Sequence, residues 1–369
     1  MTSRAARDRS LSGPDLPTIG IVGAGVMGAG IAQLALEHGH EVLLHDVDEA
    51  ALEHGRDRIA DGLGRRAVKA LDDQAGSEDW VAARIGRLRQ TEVLEQLADE
   101  ADVIVEAALE SLDLKRTIFR TLDSVAAPAA ILASNTSALS IADIAAATTR
   151  PERVLGLHFF NPAPVMRLVE VVSGPRTDRG LLDRAAALVS SWERTPVRVV
   201  DAPGFIVNRA NRPFTIEALR MLEEGTATVE QIDAAMREAG YPLGPFELMD
   251  LTGIDVTHAA ATAIWTALGR PDRLRPSRIQ EERIAAGALG RKSGEGFHEY
   301  VRGVAVGVSA PFAGDVTDTP AAVIRDRIQA AIATEARLLV EDGIASEADV
   351  DLALRLGAGH PRGPFEARV

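Results

Sequence analysis

Three closely spaced glycines, Gly23, Gly25 and Gly28, fall in the run GAGVMGAG, between the apolar stretch TIGIV and a segment of helical periodicity. Such a strand–glycine–helix run can cradle a dinucleotide. Gly23 would allow the tight turn, Gly25 the close approach of backbone to pyrophosphate, and Gly28 the close packing of helix on strand. Val26 and Met27 open the helix, whose unpaired N–H groups and positive dipole end would face the phosphates. Asp46 ends the next apolar run, where a carboxylate can accept hydrogen bonds from the adenosine ribose. Asp48 follows and no arginine is adjacent, so a 2′-phosphate is disfavoured and NAD rather than NADP is the expected cofactor.

A second group of polar residues lies farther along: Ser137 in SNTSALS, His158 in RVLGLHF, Glu170 in RLVEVV and Asn208 in DAPGFIVNR. A histidine titrates near neutrality and is suited to take the O–H proton of a secondary alcohol undergoing hydride loss. A carboxylate on a neighbouring strand can fix its tautomer and stabilise the imidazolium. Residue type alone leaves structural alternatives open. A strand histidine is commonly a satisfied core residue, Ser137 can cap the helix of LSIADI, and Asn208 can be a polar helical contact.

These residues need a sheet to hold them. Short β-branched runs at 18–23, 41–46, 102–107, 130–134, 153–159, 167–172 and 197–200 alternate with helical patterns, which predicts an α/β, Rossmann-type doubly wound sheet. Residues 48–97 are too long for one crossover and read as an inserted helix pair, with Gly62, Gly64 and DDQAGSED as breakers. After Pro203 helical periodicity takes over. The expected division is a tail over 1–17, a nucleotide-binding domain over 18–200, an all-α C-terminal domain over 201–300, and a partial second copy of it over 321–369. The second copy rests on an internal repeat. EALRMLEEGTATVEQIDAAMREAGYPLGPFE (217–247) is echoed by EARLLVEDGIASEADVDLALRLGAGHPRGPFE (335–366), which places Asp326 opposite Asn208 and Ala322 opposite Gly204.

Composition narrows the function classes. The chain has 369 residues, enough for about two domains. A formal net charge of −14 disfavours a nucleic-acid partner, because counterion release needs a basic surface. No apolar run approaches the roughly 18 residues of a membrane span. With no cysteine, thiolate catalysis and cysteine metal sites are excluded, no metal is expected, and a reducing cytoplasm fits. Residues 1–17 lack the apolar core of a signal peptide. One helical segment departs from the acidic mean, with Arg56, Arg58, Arg65, Arg66 and Lys69 beside Asp57 and Asp61.

Together GAGVMGAGIA, SNTSALS, HFFNP, MRLVEVV and DAPGFIVNR resemble the 3-hydroxyacyl-CoA dehydrogenase family, 3-hydroxybutyryl-CoA dehydrogenases included, over nearly all of residues 18–300. The resemblance implies a catalytic dyad of His158 and Glu170, with Ser137 and Asn208 contacting the substrate oxygen. It implies that Glu110 and Lys115 lie along cofactor and substrate, Asn161 near the nicotinamide, Lys292 on the cofactor side and Lys69 by the CoA. Ser111 stands where the family has asparagine, and His298 where it has tyrosine. The implied reaction is NAD-dependent oxidation of (3S)-3-hydroxyacyl-CoA to 3-oxoacyl-CoA, a step used in fatty-acid metabolism by β-oxidation and equally in butanoate metabolism and aromatic degradation.

The same chemistry on a carrier-protein thioester or a free hydroxy acid is an alternative, as is a non-catalytic nucleotide-binding structural protein. The basic helix favours CoA, and the intact dyad argues against a structural role. Family members with one helical domain pair through it, whereas those with two copies can make that contact within a chain. A homodimer or a pseudo-dimeric monomer is therefore expected.

Overall fold

The computed structural model describes residues 16–70, 74–315 and 317–366. Most of the expected tail, and the end of the second copy, lie outside the described residues. The chain divides into one unit that ends at Asp201 and another that begins at Ala202.

The first unit is an eight-stranded sheet of β1 (Ile19–Val22), β2 (Val42–His45), β3 (Leu88–Thr91), β4 (Val103–Glu106), β5 (Ile131–Ser134), β6 (Val154–Phe159), β7 (Leu168–Ser173) and β8 (Thr195–Val200), in the order β3-β2-β1-β4-β5-β6-β7-β8. All pairings are parallel except β6 with β7. Helices α1 (Val26–Glu37), α2 (Glu49–Ala70), α3 (Gln74–Ile85), α4 (Leu94–Glu100), α5 (Leu112–Val125), α6 (Ile141–Ala145) and α7 (Arg179–Ser191) accompany it. The central strands are buried along their whole length, as parallel strands covered on both faces must be. The order reverses between β1 and β4, the switch point outside whose carboxyl ends ligands bind in such sheets.

Two expectations for residues 48–97 need correction. Neither Gly62 nor Gly64 breaks a helix, because α2 runs through both. A helical glycine costs about 1 kcal/mol relative to alanine. At Gly62 close packing explains it, since a Cβ there would come within 1.9 Å of Gln33 Oε1 on α1. Ile59 and Leu63, four residues apart on α2, are fully buried. The segment also contains strand β3, whose sequence LRQT carries too little apolar signal to stand out.

The second unit contains α8 (Val207–Ala210), α9 (Arg212–Glu223), α10 (Val229–Glu238), α11 (Pro245–Thr252), α12 (Ile254–Ala267), α13 (Arg278–Ala285), α14 (Ala321–Glu341) and α15 (Glu347–Ala358). Helical as expected, it also holds an antiparallel hairpin of β9 (His298–Val301) and β10 (Val304–Val308). Arg302 and Gly303 join the strands with φ of 51° and 78°. Two left-handed residues give the turn whose twist matches a hairpin, and only one of them is glycine, so the signal in sequence was weak. No helix among the described residues is long and apolar enough to cross a membrane.

The internal repeat recurs in three dimensions. In the first copy Asp233 accepts the N–H groups of Phe246 and Glu247, and Glu247 accepts that of Gly244. In the second, Asp351 accepts from Phe365 and Glu366, and Glu366 from Gly363. Each GPFE turn is thus closed by an aspartate of the preceding helix. Burial pushes both aspartates upward in pKa, Asp233 to about 7.

Contacts between the copies are reciprocal. Arg209 reaches Glu335 at 2.7 Å and Asp342 at 2.9 Å, while Arg327 reaches Glu217 at 2.7 Å and Glu224 at 2.6 Å. His360 meets Asn211 at 2.7 Å, and Tyr241 is hydrogen-bonded to Gln329. In the aligned repeat each member of one pair is the counterpart of a member of the other. That exchange defines a two-fold interface made within one chain.

Candidate functional site

The glycine turn follows β1 directly. Gly23 has φ +104°, and a Cβ there would lie 2.7 Å from the Ala107 carbonyl oxygen, so only glycine fits. A Cβ on Gly25 would meet nothing within 4 Å, which leaves open space over the backbone at the start of α1. The first turn of α1 carries neither an acidic residue nor a side-chain cap, so its positive end faces that space uncompensated. A pocket of about 690 Å³ opens here, lined by Gly23, Gly25, Val26, Met27, Asp46 and Leu109 among others. These residues fit a dinucleotide.

Asp46 has a role the sequence did not show. Its Oδ2 accepts the Ala24 N–H at 2.8 Å and so also clamps the glycine turn. Among the described residues no lysine or arginine lines the pocket, in keeping with a ribose hydroxyl rather than a phosphate beside Asp46.

On the antiparallel β6–β7 pair, His158 and Glu170 are direct cross-strand partners. Partners in register project to the same face, and here His158 Nδ1 lies 2.6 Å from Glu170 Oε2. Glu170 is fully buried and His158 is 6% exposed. A carboxylate accepts the Nδ1 proton, which leaves Nε2 as the basic nitrogen. The Phe160 ring lies 4.4 Å from the imidazole, centroid to centroid.

The segment that carries Ser137 is anchored by two acids. Glu110 accepts Thr136 Oγ1 at 2.6 Å and the Ser137 N–H at 3.1 Å. Glu106, at the end of β4, accepts Ser134 Oγ at 2.6 Å. Lys115 donates to Glu106 at 2.6 Å and lies 3.3 Å from Glu110. The Lys115 side chain is 1% exposed and is held between these two carboxylates. The helix cap is also reassigned, because Ser140 rather than Ser137 caps α6. Glu106, Ser134 and Thr136 were missed, and the only signal was an acid closing the apolar run DVIVEA.

A second cavity of about 810 Å³ opens in the same unit against α1 and α2 and meets the nucleotide pocket at Val26. Lys69 lines it with Arg58, Arg65, Arg66, Arg167 and Arg194. Asn161 belongs to this cavity's wall. Arg167 and Arg194 join the cluster from far along the chain, which no local pattern announces.

Asn208, on α8, and Lys292 belong to the second unit. Lys292 Nζ lies 2.6 Å from Asp255 Oδ1, and its ammonium holds the Asp255 carboxyl below the ordinary value. His298, the departure from tyrosine, is held with its strand by the buried Asp250, which accepts from the N–H groups of Phe297 and His298 and from Tyr300 Oη.

The family model described as 3-hydroxyacyl-CoA dehydrogenase, NAD binding domain, matches residues 18–202. The one described as 3-hydroxyacyl-CoA dehydrogenase, C-terminal domain, matches 204–300 and 324–368. The 3-hydroxyadipyl-CoA dehydrogenase of Escherichia coli (strain K12) is 44% identical over 287 residues, which cover 78% of this chain and 59% of that protein. The mitochondrial hydroxyacyl-coenzyme A dehydrogenase of Rattus norvegicus is 41% identical over 283 residues, 76% of this chain and 90% of that one. A crystal structure of 3-hydroxybutyryl-CoA dehydrogenase from Escherichia coli K12 superposes with a TM-score of 0.85 at 36% identity, covering 95% of this chain and 90% of the other.

Proposed function

The chain belongs to the 3-hydroxyacyl-CoA dehydrogenase family, NAD-dependent oxidoreductases, and from that premise we propose that it interconverts (3S)-3-hydroxyacyl-CoA and 3-oxoacyl-CoA with His158 as acid/base. The observation that supports the assignment most directly is the 2.6 Å contact between His158 Nδ1 and the buried Glu170. With Nδ1–H donated to the carboxylate, Nε2 takes the hydroxyl proton as the C3–H bond breaks, and Glu170 stabilises the imidazolium. Bound NAD supplies the acceptor for the hydride that leaves C3. In the reverse direction the same Nε2 returns the proton to the oxo oxygen.

Ser137 donates to the substrate oxygen, held in place by Glu110, Glu106 and Lys115, and Asn208 is assigned a contact to the same oxygen from the family pattern. The cationic cavity around Lys69, Arg65 and Arg66 suits the phosphates of CoA. It favours CoA over a free hydroxy acid, which would need only a local cation. We place the enzyme in acyl-CoA breakdown in the cytoplasm.

NADH oxidation with acetoacetyl-CoA, longer 3-oxoacyl-CoAs and free acetoacetate tests the reading. Turnover of a thioester, with little of the free acid and little with NADPH, is expected. An inert wild type on every thioester overturns it.

The reciprocal interface within the second unit supports a pseudo-dimeric monomer, because the face through which a one-copy chain would pair is covered by the chain's own second copy. Light scattering at micromolar concentration should return the mass of one chain. A stable dimer would count against it.

A further inference from the structure

The ladder between the parallel strands β5 and β6 ends at the pair Ser134 and Gly156, yet β6 runs on to Phe159. His158 therefore lies beyond the reach of β5. On its other edge β6 is accompanied by β7 as far as the pair Phe159 and Val169. On the β5 edge the backbone of this last stretch has to find partners elsewhere, because a buried N–H left unpaired is costly.

Asn135, the residue that follows β5, provides one. Its Oδ1 accepts the Phe159 N–H at 2.8 Å. That N–H belongs to the same planar peptide unit as the His158 Cα. One side-chain bond thus holds the peptide plane from which the imidazole projects, on the edge that β7 leaves uncovered. Phe159 itself is 2% exposed, with its ring 6.2 Å from that of Trp192, so the plane is steadied from its far end as well.

Asn135 is in turn firmly placed. Its N–H donates to the Glu106 carbonyl at 2.7 Å, beside Ser134, whose hydroxyl donates to the Glu106 carboxylate. The Thr136 hydroxyl and the Ser137 N–H are held by Glu110. Those bonds tie the segment to β4 and the loop after it. The Asn135 side chain bonds in the other direction, to β6, and so joins the segment that carries Ser137 to the strand that carries His158.

We propose that Asn135 is a positioning residue for the reaction, fixing where His158 Nε2 stands relative to the Ser137 hydroxyl. The proposal rests on the dehydrogenase reading above and adds to it a residue that acts through His158 without touching the reacting atoms. Two groups that must meet one substrate oxygen tolerate little error, since a displacement of about 1 Å can cost about 10²-fold in rate.

The test is a double-mutant cycle on acetoacetyl-CoA reduction. Asn135→Ala removes the acceptor, and Asn135→Gln keeps the amide but moves it by one methylene, so a variant with the bonding chemistry intact remains if the alanine variant folds poorly. Each is made alone and together with His158→Ala. Alone, Asn135→Ala should lower kcat about 10²-fold and Asn135→Gln about 10-fold, the scale of a misplaced catalytic group. KM for the thioester and NADH binding, read by nucleotide fluorescence, should change little, because Asn135 does not line the nucleotide pocket. In the His158→Ala background both losses should nearly vanish, as residues that act as a unit are not additive.

A purely structural role for Asn135 would give the same fold-loss in both backgrounds, together with early melting and weak NADH binding. That result, or a wild-type kcat in both single variants, overturns the proposal and leaves the dehydrogenase reading standing. A wild type inert on every thioester defeats both.

Discussion

His158→Ala should lower kcat for 3-oxoacyl-CoA reduction by about 10³- to 10⁴-fold, the usual worth of a positioned general acid and the geometry it imposes. NADH binding, read by nucleotide fluorescence, should change little, because the nucleotide pocket is lined by the glycine turn and Asp46 and does not include His158. Glu170→Gln gives a sharper test of the dyad. The amide keeps the volume and one acceptor oxygen but removes the charge that stabilises the imidazolium. A loss of about 10²- to 10⁴-fold in kcat is expected, by the logic of a base whose orienting carboxylate becomes an amide. A purely structural pair would give a different result: both variants would melt early, bind NADH poorly and keep their turnover per folded molecule. That outcome would reassign the base.

Much of the site could be read from the sequence because its elements are local. The strand, glycine turn and helix of residues 19–37 lie together in the chain, and each glycine meets its own steric requirement. His158 and Glu170 could be identified individually as polar interruptions of apolar strands. Their pairing depends on β6 and β7 being antiparallel in an otherwise parallel sheet, which sequence period does not reveal. Glu106, Ser134 and Thr136 were invisible because a buried acid is explained only by the lysine and hydroxyls that reach it from other elements. Gly62 misled for a related reason. Read locally it is a breaker, and only the approach of α1, with Gln33 against it, shows why the helix continues. The repeat could be read as a repeat, but the reciprocity of its arginines could not. A pattern shared by two segments says that they fold alike, and nothing about whether they face each other.

That reciprocity yields the second large effect, an asymmetric one. Arg209 and Arg327 make equivalent bonds, yet the Arg209 and Glu335 side chains are 3% and 1% exposed while Arg327 is 32% exposed. Removing one partner of a buried ion pair strands the other charge and costs about 3–5 kcal/mol. Arg209→Leu should fall near the lower end, about 3 kcal/mol, because Glu335 keeps Arg273 at 2.7 Å. For a domain of this size that is a fall of about 6–12 °C in the melting temperature. Arg327→Leu removes the mirror-image pair at a site where water screens the charges, so its cost should stay near 1 kcal/mol. The double variant Arg209→Leu, Glu335→Leu should recover stability relative to Arg209→Leu, since two apolar side chains packed together no longer leave a buried carboxylate short of a partner. Equal costs for Arg209→Leu and Arg327→Leu would mean that the interface is hydrated on both sides, and the case for a sealed two-fold contact within the chain would fail with it.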